Sequence, residues 1–564
     1  MGYLAAFRGI ILTMMRYLIA AAVLLASAAS AGAQESSSTN DPGQIERRIR
    51  ERTLPRPPAG VDITGPREPA APPAEIPPLK LVLAGVAVTG ASVFEPAEFA
   101  PFYEEFLARE ISTAEIEVIL ERITTFYRNR GYFLSRAVAP AQDLVGGILR
   151  VRVIEGYVDT VVFEDARRER ELRPYVRRIT AERPLKLATL ERGVLLLNDV
   201  PGVGAAAGIR PKDEDAGAYE LVVDVDEQAA DGSFFFNNWG TDAVGPLQAW
   251  LSGGLNSTLG LGERLQAGVF TVPNQPNELL YGEVGYTHPV GWDGTYVSLT
   301  GSVTRVNEGD GSAIDSTSGR LALRAWHPLI RGQSQNLWLS GGFEYYNLDE
   351  DFDDETIAED RLRILRAGLN YWLADAYKGD NFLAIELSQG LPVLGASRSG
   401  SDGLTNPGGQ SDFTKATLEA SREQGLTEEI GVQVAFAGQK SLDRLLSSEQ
   451  FGYGGSRFGR AYDFAEISGD DGVAGGMELR YGRDVGLSWL EGYQVFAASD
   501  VGLVWNDVPG ETIVRDSLAS VGVGLRLTLP RSILATIEVA RGLNAFDDTE
   551  GGGTRVSFSL SSDF

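Results

Sequence analysis

The sequence predicts a mainly β protein: a 16-stranded antiparallel transmembrane β-barrel at residues 229–564, preceded by two βααββ modules. Three observations carry that prediction. Apolar residues alternate with glycine or polar residues throughout the C-terminal part, the period of a strand with one apolar face. Long and short gaps separate successive strands in alternation. The chain is rich in glycine (66) and aromatics, yet its one long apolar run lies at the N-terminus, so helical membrane spans are not the plan. Composition excludes further classes. There is no cysteine, so disulfides, thiolate metal sites and thiol nucleophiles are absent. A formal net charge of −27 argues against a nucleic-acid partner, which needs a basic face. His288 and His327, the only two histidines, are too few for a histidine-rich metal site or a conventional triad.

Residues 1–33 read as an export signal. Arg8 and Arg16 lead a short apolar core, Tyr17–Leu25, and Ala31-Gly32-Ala33 precedes Gln34 as a small-residue cleavage site. In residues 34–53, the stretch Gln44–Arg52 places Ile45 and Ile49 one helical turn apart among charges. So short a helix does not fold alone and must dock into something. Residues 54–78 hold nine prolines and form a linker. An extended polyproline chain advances about 3.1 Å per residue, a reach on the order of 75 Å.

The first module spans 79–156. A strand at Leu79–Val88 leads to a helix near Pro96–Phe106, and Ser112 with Glu115 makes a capping box for a second helix. Ile116, Ile119, Leu120, Ile123, Phe126 and Tyr127 give that helix its apolar face, and Gly131 stops it. Two strands follow. The second module, 157–228, repeats the order strand, helix, helix, strand, strand. Leu190, Val194 and Leu197 line its second helix, which ends at the turn Asp199-Val200-Pro201-Gly202.

Candidate barrel strands start near 232, 246, 263, 278, 293, 316, 335, 360, 380, 411, 427, 473, 493, 516, 531 and 554. The gaps at 347–360, 390–410, 439–472, 505–515 and 541–553 are long, whereas one of the others is little more than Leu529-Pro530. Short turns on one side and long loops on the other mark an outer-membrane barrel, and an even strand number closes it with both ends together. A soluble sandwich shares the alternation; the strand number and the gap pattern separate the two. The acid-rich run Asp349–Glu359 reads as a solvated loop, and His288 and His327, each before a proline, as residues of short turns.

Signal, short helix, proline linker, two βααββ modules and barrel together resemble the two-partner secretion transporters of the TpsB type, within the POTRA-plus-barrel translocase superfamily. Gly131-Tyr132-Phe133 through Pro140-Ala141-Gln142, then Gly147 and Glu155-Gly156, are similar to that family's first-module signature. Leu195–Val203 is similar to its second-module signature. The resemblance makes the βααββ modules POTRA domains and makes Gln44–Arg52 a plug of the resting pore. It also implies a sixth loop folded back into the barrel, carrying a tip at Gly459, Arg460, Ala461 and Tyr462 whose arginine pairs with Asp500 on strand thirteen, two residues before Gly502. Ala461 stands where the family has glycine, which adds strain if that position needs a positive φ. Ala498 stands at the family's aromatic position, with Phe496 two residues earlier. Independently, the alternation turns Ala498, Asp500 and Gly502 to the lumen, where a carboxylate invites a guanidinium.

The function so implied is secretion of a large unfolded exoprotein, of the haemolysin or haemagglutinin kind, captured by periplasmic POTRA domains and passed through the pore. The partners implied are a TpsA-type client, outer-membrane lipid and the barrel-assembly machinery during biogenesis. No phosphate-binding glycine loop and no G-x-S-x-G elbow occurs, so no motor, enzyme activity, cofactor or metal is expected. The alternatives are an assembly insertase of the same superfamily, which typically has more modules and no tethered plug, and a diffusion porin, which needs no interaction modules.

Overall fold

The computed structural model describes residues 41–51, 63–64, 80–143, 145–164, 167–241, 244–308, 314–353, 355–506, 514–544 and 553–564. The expected signal at 1–33 and most of the proline-rich stretch lie outside the described residues.

The first module is built on the helix Thr113–Asn129. Its capping box forms, with the Ser112 N–H donating to Glu115 Oε2 at 2.7 Å. Ile116, Ile119, Ile123, Phe126 and Tyr127 bury its apolar stripe against a sheet in which Gly85–Thr89 runs parallel to Ile148–Ile154 and Arg136–Val138 antiparallel to it. The expected first helix is instead two 3₁₀ turns, Pro96–Phe102 and Glu104–Phe106. Pro101 inside the first offers no N–H to an α ladder.

The second module packs the helix Leu187–Asn198 on strands Tyr157–Glu164, Val203–Asp213 and Ala218–Glu227. Leu190, Val194 and Leu197 are fully buried in its core. Its sheet gains a strand that alternation did not predict: Ile63–Thr64, from the proline-rich stretch, lies parallel to Val203–Asp213, in register Ile63↔Ala207 and Thr64↔Gly208.

From Ala230 onward, 16 antiparallel strands close into a barrel, the last pairing with the first from Ser233↔Asp563 to Asn237↔Ser559. Leu251, Val284, Leu321, Leu339, Leu365, Leu387, Val434, Val495, Val523 and Ile537 are among the large apolar side chains exposed on its outside. A water-soluble protein does not present so broad an apolar surface; a lipid-facing one must. Trp338, Trp372 and Phe382 mark the short-turn rim, with Trp372 and Phe382 directly paired across their strands at a ring separation of 5.0 Å. Aromatics at that level suit a membrane interface.

Two expectations are corrected. The gap at 347–360 is no loop: strands seven and eight extend to Gln335–Phe352 and Glu355–Ala374, pairing Asp349↔Glu359. The acidic run survives in a ladder because Arg361 answers it, donating to Asp349 Oδ1 and to the Leu348 carbonyl. His288 and His327 lie within strand ends, Leu279–Val290 and Ile314–Arg331. His327 Nδ1 is 2.8 Å from Thr295 Oγ1 of the preceding strand, while the ladder with the following strand continues through His327↔Leu339 and Pro328↔Trp338.

Candidate functional site in the barrel lumen

The chain between strands eleven (Ile430–Ser441) and twelve (Asp471–Leu487) turns back into the bore. It forms a short ribbon, Phe451–Tyr453 with Ile467–Gly469, and carries the tip at Gly459–Tyr462. Wall glycines make the space. A β-carbon at Gly502 would stand 2.0 Å from Tyr453 Cδ2, and one at Gly472 would stand 2.2 Å from Phe451 Cδ1. Tyr453, Phe458, Tyr462 and Ile467 therefore bury against Ala437, Ala474, Val504 and Leu518 of the wall. The loop's base is tied by Asp471, which accepts from the Ser441 N–H at 2.7 Å and Lys440 Nζ at 2.6 Å.

Arg460 meets three carboxylates. Its Nη2 donates to Glu478 Oε2 at 3.0 Å and its Nη1 to Glu538 Oε1 at 3.2 Å. Its Nε lies 3.6 Å from Asp500 Oδ2, a charge contact beyond hydrogen-bond reach. Asp500 accepts instead from the Gly459 N–H, from the Tyr453 hydroxyl at 3.0 Å and from Ser520 Oγ at 2.8 Å. Arg480 and Arg526 also reach Glu478, at 2.5 Å each, so that carboxylate is the hub of the cluster. Gly459 takes the left-handed turn, with φ 80°. Ala461 is not among the positive-φ residues, so its β-carbon causes no strain at the tip. The Tyr462 hydroxyl reaches the carbonyls of Ala519 at 2.9 Å and Asn544 at 2.6 Å.

The helix Pro42–Glu51 lies inside the same bore. Ile45 and Ile49 are buried against Val244, Trp250, Phe270, Val272, Leu279, Tyr281 and Val306 of the wall. Its polar face holds the loop. Gln44 Nε2 donates to the carbonyls of Ser447 at 2.7 Å and Gln450 at 3.1 Å, and Arg47 donates to those of Ser448 and Gln450. Arg48 donates to the Trp239 carbonyl at 2.8 Å and packs over the Phe464 ring. Glu46 accepts from Ser302 Oγ at 2.7 Å and from Arg320 Nη1 at 3.3 Å. Arg320 in turn pairs with Glu344 at 2.6 Å, Arg366 bridges Glu344 and Glu449, and Lys415 reaches Glu449 at 2.7 Å. Helix, wall and loop thus share one charge network. Beside them remains a lumen cavity of about 650 Å³, lined by Arg47, Arg48, Arg324, Arg366, Lys415 and Thr417 among others.

The second module docks on the barrel's short-turn side. Asp199, at the end of Leu187–Asn198, takes two bonds from Arg331 of strand six, from Nε at 2.9 Å and Nη2 at 2.6 Å. Arg331 is held in turn by Asn336 at 2.8 Å. Glu171 accepts from Ser257 at 2.9 Å, and Arg192 donates to the Pro328 carbonyl at 3.1 Å. Burial, and after it the nearby Glu171 carboxylate, pushes the pKa of the Tyr175 hydroxyl up to about 12.

Sequence reasoning named Arg460, Asp500, Gly502, Ile45 and Ile49, all of which this lumen holds. It missed Glu478, Glu538, Glu46, Arg320 and the Asp199–Arg331 pair. Lumen-facing carboxylates on strands twelve and fifteen were the available signal for the first two. No periodicity pairs residues 132 apart.

The family model of the haemolysin secretion/activation protein ShlB/FhaC/HecB matches residues 220–527, and that of the ShlB-type POTRA domain matches residues 81–156. The chain is 25% identical over 440 residues to the outer membrane transporter CdiB of Escherichia coli, covering 75% of this chain and 73% of that protein. It is 22% identical over 461 residues to the heme/hemopexin transporter protein HuxB of Haemophilus influenzae (strain 86-028NP), covering 79% and 80%. Among solved structures, CdiB from Escherichia coli superposes with a TM-score of 0.74 at 21% identity, over 95% of this chain and 100% of that one. CdiB from Acinetobacter baumannii gives 0.65 at 17% identity, over 94% and 100%. At these identities the superpositions establish a common fold.

Proposed function

The chain belongs to the ShlB/FhaC/HecB family of haemolysin secretion/activation proteins, the two-partner secretion transporters, and on that premise we propose that it exports one large exoprotein in extended form through its own barrel. It resides in the bacterial outer membrane with its POTRA modules in the periplasm. One observation carries the proposal: the bore is occupied by two tethered inserts, the helix Pro42–Glu51 and the loop before strand twelve, which pack against its wall. Parts attached in this way can leave without unfolding the barrel.

In this reading residues 79–156 and 157–228 receive the client. An edge strand such as Gly85–Thr89, paired on one side by Ile148–Ile154, offers main-chain bonds that ask for no particular sequence. The helix then withdraws, its buried Glu46–Arg320 contact breaks, and the client threads the vacated lumen. Arg460, held by Glu478, Glu538 and Asp500, keeps the loop tip against the far wall and the passage shaped. With no nucleotide-binding motif, the drive is folding of the client outside, which prevents its return.

The test is a secretion profile. Removing the protein abolishes release of a single large exported polypeptide and leaves other outer-membrane proteins at normal abundance. A broad loss of outer-membrane barrels with no lost exoprotein would show an insertase instead.

A further inference from the structure

We propose that four aromatic side chains turned into the bore, Trp326, Trp338, Trp372 and Phe382, form an entry band that holds apolar side chains of the extended client as it leaves the second module. This inference rests on the export reading above and names the chemistry that the entrance recognises.

The direction of these rings follows from strand alternation. Strands six to nine are Ile314–Arg331, Gln335–Phe352, Glu355–Ala374 and Gly379–Gly390. Charged contacts mark their bore face: Glu344 meets Arg324 at 2.6 Å and Arg366 at 3.1 Å, and Arg366 meets Glu386 at 3.6 Å. The exposed Leu323, Leu339, Leu365, Leu369, Leu383 and Ile385 mark the lipid face. Successive side chains alternate faces, so residues an even number of steps apart share one. Trp326 lies two steps from Arg324, Trp338 six from Glu344, Trp372 six from Arg366 and Phe382 four from Glu386. No register shift falls within these intervals. The four therefore share the bore face, and each is only half-buried there.

Placement along the strands makes them one band. Trp338 is the fourth residue of its strand, Trp372 the third from the end of the next, and Phe382 the fourth of the one after. All three stand just inside the short-turn rim, and Trp326, sixth from the end of its strand, stands slightly deeper. Trp372 faces Phe382 directly, at a ring separation of 5.0 Å. Trp338 is opposite Asn370, and Trp326 is opposite Ser340. Each tryptophan is thus the diagonal neighbour of the next, within reach of an aromatic side chain.

A membrane girdle turns its aromatics to lipid, so anchoring gives no reason to point rings at a watery bore. The apolar contacts of the two inserts lie elsewhere. Those of the helix Pro42–Glu51 include Trp250, Phe270, Tyr281 and Val306 on strands two to five, and those of the loop include Ala437, Ala474 and Val504. In other sectors near the rim the bore face is polar, with Ser233 against Ser252, Asp231 against Arg264 and Gln494 against Arg526. A half-exposed apolar patch rimmed by polar residues marks a binding surface.

The occupant follows from what lies on either side. Arg331, which holds Asp199 of the second module, pairs in register with Asn336. Asn336 is two residues from Trp338 and opposite Trp372. Beyond the band, Arg324, Arg366 and Glu386 line the lumen cavity. A chain running from the module to the cavity along this wall crosses the rings. Aromatic faces take apolar side chains with little demand on sequence, and each contact is weak enough to pass from one client residue to the next.

The full-length protein with residues 41–51 removed, so that the bore conducts, is placed in planar lipid bilayers. Two probes are added on the short-turn side: a glycine-serine peptide punctuated by phenylalanine, and the same peptide with serine at those positions. The phenylalanine probe should block the current about tenfold longer, the effect of one good aromatic contact. In Trp338→Ser with Trp372→Ser that difference should vanish, and in Trp338→Phe with Trp372→Phe it should return. Equal blockade times for the two probes in the unsubstituted bore would overturn the proposal, and so would a difference that survives in the serine variant. A bore that neither probe blocks would contradict the export reading itself, and the band with it.

Discussion

At the scale of single residues, the lumen joins an arginine to more acid than the sequence pointed to. The alternation of strand thirteen was enough to turn Asp500 and Gly502 inward, and the motif was enough to bring Arg460 to them. The partner choice was not readable, because it depends on which lumen-facing carboxylates the shear of the barrel sets beside the tip. In the structure the hydrogen bonds of Arg460 go to Glu478 and Glu538, and Asp500 is engaged by Gly459, Tyr453 and Ser520. The glycine two residues after the aspartate has a physical reason of its own: Tyr453 occupies the place where a β-carbon would be. Removing one partner of a desolvated charge cluster costs about 3–5 kcal/mol, because the remaining charges stay buried without compensation. Arg460→Ala should therefore free the loop from the wall, expose Arg457 to trypsin added outside the cell and reduce secretion at least about tenfold, while the barrel still inserts. Unchanged protection and wild-type export would show that Arg460 is dispensable.

At the scale of elements, helices whose stripes face their own module's sheet were legible: the capping box at Ser112 and Glu115, and the buried Leu190, Val194 and Leu197. Elements whose partners lie far along the chain were not. Ile45 and Ile49 announced that their helix docks somewhere, but the wall they meet is contributed by strands that begin about 200 residues later. Asp199 likewise looked like part of a turn, and its bidentate partner Arg331 is reachable only once the barrel has closed. That pair ties the second module to the short-turn end of strand six with the geometry of a guanidinium fork on a carboxylate. Asp199→Arg should weaken the dock and reduce secretion about tenfold, by the loss of one buried partner. Adding Arg331→Asp should recover much of it, short of wild type because Asn336 loses its bond. A double variant no better than the single would mean that the two side chains do not act through each other.

At the scale of the whole molecule, strand number and closure followed from counting alternating segments, since each strand must show lipid one face and water the other. The miss at strands seven and eight has the same origin. Acidic residues at Asp349–Glu359 hid the alternation, although Arg361 allows the ladder to continue through them. The edge strand Ile63–Thr64 was hidden for another reason: two residues among prolines carry no period at all.

The central claim is that the exoprotein travels inside this barrel and not beside it. A photoreactive amino acid placed at Thr417, on the lumen cavity, or at Ile385, 42% exposed on the lipid side, distinguishes the two paths in secreting cells. Illumination should yield adducts with the exported polypeptide from Thr417 and none from Ile385. Adducts from Ile385 alone, with secretion undiminished, would contradict passage through the bore.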